Sequence, residues 1–307
     1  MGTLIFIGLS IFTGIYGQSF KDNQYKFTPE SVKYSLELPT QRFELKNTDT
    51  DEVISYAPNT TPASGLSLSY ESFGIGASFK SRQSEEDKAD EIERSDYFNY
   101  FLRFPYLNGV IDIFYGQYNG FKLEAIDDKR LLDINSTSYG FLYKKYLDES
   151  FNIKKSTGDF SLGRESDYGT YLSLGYARTK LNSSETLVPN GFESQFEEYI
   201  GLQGLEQDTI LLLYGASGQY TKRSFYAQAS LAFGINLSRI SYSGADIDDS
   251  TKTGPSAQYQ INLGYEFQNS LLGFEVQSTS FSDIQNENQF RAERVNLTIY
   301  YHYFFKS

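Results

Sequence analysis

The 307-residue sequence has no cysteine and no tryptophan, a single histidine, one methionine and only seven prolines. Without cysteine there are no disulfides, thiolate nucleophiles or thiolate metal sites, and no N-terminal cysteine to carry lipoprotein acylation. One histidine, His302, excludes two-histidine metal sites within a chain and leaves one imidazole for any serine–histidine scheme. The formal net charge is −12, and no basic stretch interrupts it, so nucleic acid has no cationic track to follow. No apolar run beyond the N-terminus approaches the ~20 residues of a spanning helix. The acidic groups Asp49/Asp51/Glu52, Glu85/Glu86/Asp87 and Asp246/Asp248/Asp249 lack EF-hand spacing and its central glycine. They read as charged surface, with no metal site, no cofactor and no catalytic residue expected.

Aromatics and glycine are abundant, with 26 Tyr, 25 Phe and 25 Gly. Aromatics favour strands, and glycine permits tight turns and close packing. The last stretch, Val295–Lys306, shows how they are used. Val295, Leu297, Ile299, Tyr301, Tyr303 and Phe305 form one alternating file, wholly apolar. Asn296, Thr298, Tyr300, His302, Phe304 and Lys306 form the other, mostly polar. A strand sends successive side chains to opposite faces, so this one has a greasy face and a wetter one. An apolar face ending in alternate aromatics at the C-terminus is the pattern of a closing strand in an outer-membrane barrel. The mean hydropathy of −0.44 does not oppose this. Apolar-out, polar-in alternation and polar loops hide a barrel from averaging.

The N-terminal run over 4–16 is too short to span and suits a signal peptide core, with Gly17 offering a small residue before Gln18. The expected organisation is a signal peptide over 1–18, a periplasmic lead-in over 19–46 with a few alternating positions (Tyr34, Leu36, Leu38), and a barrel over 47–307. Strands are expected at 50–57, then around Leu66–Tyr70, Phe73–Phe79, Phe98–Phe104, Ile111–Gly116, 134–146, 168–182, 208–220, 224–242, Tyr259–Phe267, Leu272–Gln277 and 295–306. Region 147–167 reads as a long turn or an extra hairpin. The fold class is therefore all-β, an up-and-down antiparallel transmembrane barrel of about 12 strands, with 10–14 open. Short connections alternate with long acidic or Asn/Ser-rich loops, which puts both termini on the short-turn, periplasmic side.

Four stretches carry a family resemblance: Tyr56-Ala57-Pro58-Asn59, then GLSLSYESFGIGASF over 65–79, IDIFYGQYNGF over 111–121 and KKSTGDF over 154–160. In them the chain resembles an uncharacterised family of bacterial, Gram-negative outer-membrane barrels, a domain of unknown function of the DUF4421 type. The resemblance implies location and fold. It implies no activity and carries over no catalytic residue.

Candidate lumen-lining charges on the inward files are Arg103, Asp112, Glu266, Glu275 and His302, with Arg103 and Asp112 placed to pair across a hairpin. They suit a polar, porin-like lining that binds or passes a small solute, or charge pairs that hold a filled lumen together. The leading expectation is a non-enzymatic barrel acting as a narrow pore, a solute- or lipid-binding protein, or a structural envelope protein. Two alternatives stand beside it: an outer-membrane hydrolase of lipid or lipopolysaccharide built on His302, and a surface-binding protein using long acidic loops. Expected partners are outer-membrane lipid and lipopolysaccharide, with the barrel-assembly machinery during insertion.

Overall fold

The structure, a computed structural model, describes residues 31–47, 51–60, 62–70, 73–80, 94–107, 109–124, 132–147, 167–282 and 288–305. The expected signal peptide, Lys306, the acidic positions Asp49 and 85–87, and the motif at 154–160 lie outside them. The strands are β1 (Ser31–Asn47), β2 (Val53–Ala57), β3 (Ala63–Tyr70), β4 (Phe73–Lys80), β5 (Asp96–Tyr106), β6 (Gly109–Leu123) and β7 (Leu132–Tyr146). They continue as β8 (Asp167–Ser183), β9 (Gly204–Lys222), β10 (Phe225–Ser243), β11 (Ser250–Phe267), β12 (Ser270–Ser282) and β13 (Asn288–Phe304).

All pairings are antiparallel, and each strand from β3 to β13 pairs with the next in sequence. Closure comes from β1, which pairs with β13 over its whole length, from Ser31 opposite Phe304 to Asn47 opposite Asn288. Hydrocarbon offers no water to an open sheet edge, so closure is the condition for spanning. This corrects the N-terminal boundary. Residues 31–46 are wall, not a periplasmic lead-in. Their outward file, Tyr34, Leu36 and Leu38, is exposed as a lipid face must be.

The other edge of β1 is shared. Its first half, Ser31–Glu37, pairs with β3, and Phe43–Lys46 pairs with β2. The strands β2 and β3 thus run down β1 as one interrupted strand, and β2 also pairs with β6 through Tyr56–Leu123 and Ala57–Lys122. The expected separate strand at 50–57 is the upper half of a wall strand. The wall has twelve strands at the end where β1 begins and β13 finishes, and ten at the other, where the β4–β5 hairpin drops out and β2 meets β6. Pro58 and Pro62 flank the interruption, where a ladder cannot use a residue without N–H.

The point of the wedge is tied by polar contacts. Asn59 donates its N–H to Ser95 Oγ at 2.7 Å, accepts the Ser95 N–H at 3.0 Å, and takes Arg94 Nη1 on its side-chain oxygen at 2.9 Å. Ser95 Oγ donates to the Gly120 carbonyl at 2.6 Å. Gly120 has φ 86 at a register shift between Asn119 and Phe121, a conformation that a side chain strains. Two stretches of the family resemblance, 56–59 and 111–121, therefore meet here.

Connections are short at the twelve-stranded end. Arg223 and Gln268 open two-residue turns with φ 56 and 57, and Leu107 has φ 43 beside another. The end of β7 and the start of β8 are on this side too, and the long turn or extra hairpin expected between them falls on residues 148–166, outside the described residues. Above these turns runs an outward apolar band. On β9 it goes from Tyr220 through Tyr214 and Leu212 to Ile210, about the ten residues a tilted strand needs to cross. Aromatics such as Tyr106, Tyr220, Phe225, Phe267, Tyr303 and Phe305 gather at the turn end. At the other end charge replaces apolar surface: Arg178 grips Asp208 with two bonds of 2.7 Å, and Lys180 pairs with Glu206 at 2.5 Å. An apolar band with an aromatic girdle, short turns below and long loops above, defines an outer-membrane barrel with its short turns in the periplasm.

Phe233 is 60% exposed on β10 while Asn236 is 1% exposed, so the two report opposite faces. Phe233→Arg is expected to cost about 2–4 kcal/mol in denaturant unfolding from vesicles. Asn236→Ser should cost much less. Equal penalties would refute the register. Deleting 31–47 should abolish heat-modifiable migration on gels, since among the described strands β1 is the one that closes the ring on β13.

Candidate functional site

The lumen is layered. At the ten-stranded, outer end it is packed with apolar side chains. Phe43, Ile54, Tyr56, Phe121, Ile134 and Leu205 point in from five strands, each at most 3% exposed. Into them folds the β8–β9 segment 184–203, which contains a 3-10 turn at Glu197–Tyr199. Its Leu187, Val188, Phe196, Tyr199 and Leu202 are buried to the same degree. Burial of five such side chains contributes on the order of 10 kcal/mol, an upper value. The segment also bonds across the mouth. Tyr56 donates its hydroxyl to the Leu187 carbonyl, Asn47 Nδ2 donates to the Gln195 carbonyl at 2.5 Å, and Gln195 Nε2 donates to Glu52 at 3.0 Å. The connection between the strands expected at 168–182 and 208–220 is thus shorter than their bounds imply, and it is a plug.

Beneath the plug Gln41 of β1 reaches across to β7. Its Nε2 donates to Ser138 Oγ at 3.3 Å, and its Oε1 accepts from Ser136 Oγ at 3.2 Å. Below that opens a chamber of about 330 Å³ that runs down to Ser69 and Gly74, beside the short-turn rim. Four cations line it, Lys33, Arg103, Lys144 and Arg294, with three carboxylates, Glu37, Asp112 and Glu275.

The hairpin register sets Arg103 opposite Asp112, and the fork closes with Nε–Oδ1 at 2.5 Å and Nη2–Oδ2 at 3.1 Å. The expected pair therefore forms. Lys33 donates to Glu275 at 3.1 Å and lies 4.3 Å from the centre of the Tyr300 ring. Gln260 completes Glu275 with a 2.9 Å bond. Arg294 reaches Asn99 at 3.3 Å, its guanidinium lying over Gly116, where a Cβ would sit 3.5 Å from it. At Gly76 a Cβ would come within 2.3 Å of the Phe101 ring, so the glycine lets that ring lie against the wall.

His302 faces inward, 2% exposed and stacked on Phe304 at 4.5 Å, and it borders the chamber opposite Lys33. Glu266 requires a correction. It sits one residue from the end of β11, with its N–H on the Ser224 carbonyl at 2.7 Å, and does not line the chamber. The inward file continues past the chamber into the turn. Lys33, Glu37, Lys144 and Arg294 were missed. The first two lay in the supposed lead-in, although Lys33, Ser35 and Glu37 alternate with Tyr34, Leu36 and Leu38.

Outside the band, Asp51 and Asp249 are held below the usual carboxylate range by hydrogen bonds from Lys46 and Arg239, which keeps them ionised at the outer face. Among the described residues no three His, Asp or Glu side chains converge as metal ligands.

A family model described as "Domain of unknown function (DUF4421)" matches residues 21–305. The chain belongs to this family. No curated protein matches it. Among solved structures it is similar to OmpT of Vibrio cholerae, with 8% identity and TM-score 0.31, covering 92% of this chain and 100% of that one. The transport unit of the autotransporter AIDA-I from Escherichia coli gives 10%, 0.39, 97% and 97%. An outer membrane channel from Pseudomonas putida F1 gives 12%, 0.35, 93% and 99%. Such scores say nothing of activity. In this DUF4421 chain the stretches of resemblance have physical work instead. Tyr56 holds the plug, Asp112 grips Arg103, and Gly76 and Gly116 make room for Phe101 and Arg294.

Glu275→Gln leaves Lys33 without its carboxylate and should destabilise the barrel by about 1–3 kcal/mol. Lys33→Met with Glu275→Leu should recover most of that, because replacing both members of an enclosed pair is often neutral. Denaturant midpoints of the three variants check this. An additive double variant would mean that the pair is not coupled.

Proposed function

We propose that this chain is a closed, non-conducting outer-membrane barrel that holds a small polar solute in a chamber facing the periplasm, without enzymatic activity. The observation that carries this is the β8–β9 plug. A through-pore needs a continuous polar path, and here the outer third of the lumen is an apolar core of side chains at most a few per cent exposed. The chamber below is lined by charged and amide side chains, faces the short-turn side and has the size of small-molecule sites. Its charges are mostly paired, which suits a fixed lining rather than a selectivity field.

The hydrolase alternative finds no support in the position of His302. Acyl chains arrive at the lipid-facing surface, whereas this imidazole is inside the wall and packed on Phe304. The chain offers no cysteine nucleophile.

In planar bilayers the intact protein should show no stepwise conductance. Replacing 186–201 with a short Gly-Ser linker should open channels, because the linker cannot fill the mouth. Robust conductance in the intact protein would overturn the closed-barrel reading. The variant His302→Ala should leave esterase and deacylase assays at background, as for the intact protein. A signal that His302→Ala abolishes would restore the hydrolase.

A further inference from the structure

The charges at the rim end of the chamber do not balance. Lys33 has Glu275, and Arg103 has both oxygens of Asp112. Lys144 has neither. It stands on β7 opposite Val110, on the same wall as Asp112, and among the described residues its ammonium makes no hydrogen bond or ion pair. Its contact is the face of the Tyr171 ring, with Nζ 5.7 Å from the centre. The charges that act on it are Asp112, Arg103 and Glu275. Three cations therefore share two carboxylates inside the lumen, where their side chains are largely but not fully screened from water. A surplus cation in such a place is unfavourable without a counter-ion. Farther along the chamber, the buried Gln258 presents a side-chain oxygen that has no hydrogen-bond partner among the described residues. It suits a hydroxyl or ammonium on the body of a ligand.

Resting on the closed-barrel reading above, we infer that the chamber binds a small soluble oxyanion, a carboxylate or phosphate on a polar body. Lys144 contacts the charge, and the ligand enters past Ser69 and Gly74 from the periplasm. A lysine ammonium takes such a group as a point charge, and Arg103 and Lys33 add to the field. The overall charge of −12 repels anions from the surface, so binding requires this local reversal of sign.

The test is calorimetric titration of the folded, mature protein in detergent micelles with inorganic phosphate, with succinate, and with glucose as the neutral control. Heat-modifiable migration verifies folding of each variant. Saturable binding of phosphate, succinate or both is expected, and none of glucose. Phosphate alone assigns a phosphate ligand, and succinate alone a carboxylate. Lys144→Met should weaken binding at least about tenfold. Lys144→Arg should retain it, and Lys180→Met, on the outer face, should leave it unchanged. If Lys144→Met does not fold, Ser69→Trp, which narrows the entrance, should slow or abolish binding. Failure of the folded protein to bind either anion would overturn the inference, as would binding indifferent to Lys144→Met. Both outcomes are independent of conductance, which tests the closed barrel itself.

Discussion

A chain that crosses hydrocarbon as strands must find a partner for every backbone N–H and C=O, and here that requirement is met by one seam. Each hairpin secures its own neighbours, but the ring exists only because β1 lies along β13 from Ser31 to Asn47. The same strand supplies Lys33, Glu37 and Gln41 to the lumen. Closure and chamber are thus two faces of one alternating segment, and a one-residue slip of β1 would send those groups into lipid.

The second constraint is the change in width. The wedge formed by β4 and β5 makes the periplasmic end wider than the outer one. Narrowing brings inward side chains from β1, β2, β6 and β7 close to those of β8–β10, near enough for one segment of about twenty residues to fill the mouth. Without it, the same segment would be a surface loop. The Asn59–Ser95–Gly120 contacts at the point of the wedge are therefore coupled to the plug through Tyr56, three residues from Asn59. The wider end retains room for water, paired charges and amide side chains.

Much of the wall was legible because period-two alternation is strict where one face meets lipid. Leu231, Phe233, Ile235 and Leu263 face out, and Asn236 and Asn262 face in, as their files require. The Arg103–Asp112 pair followed from hairpin register alone. Three things were hidden. The alternation in β1 is broken by Pro39, Thr40 and Gln41, so its strand character was discounted. The segment β2 looked like a complete strand because five residues cannot show whether they continue into β3. The plug was unreadable because Leu187, Val188, Phe196 and Leu202 follow no period; they are buried by the shape of the mouth, which a linear pattern does not contain. The strand count of twelve survived because one missed strand and one divided strand offset each other.

The central claim is that the lumen is shut outward and open to the periplasm. The natural absence of cysteine makes a direct measurement possible, since any thiol reactivity comes from an introduced residue. Ser69→Cys places a thiol at the chamber entrance and Leu187→Cys places one in the plug. A small membrane-impermeant thiol reagent is added to one side at a time of vesicles in which the barrel has a single orientation. The account predicts rapid labelling at position 69 from the short-turn side only, and no labelling at 187 from either side. Labelling of position 69 from the long-loop side would contradict it.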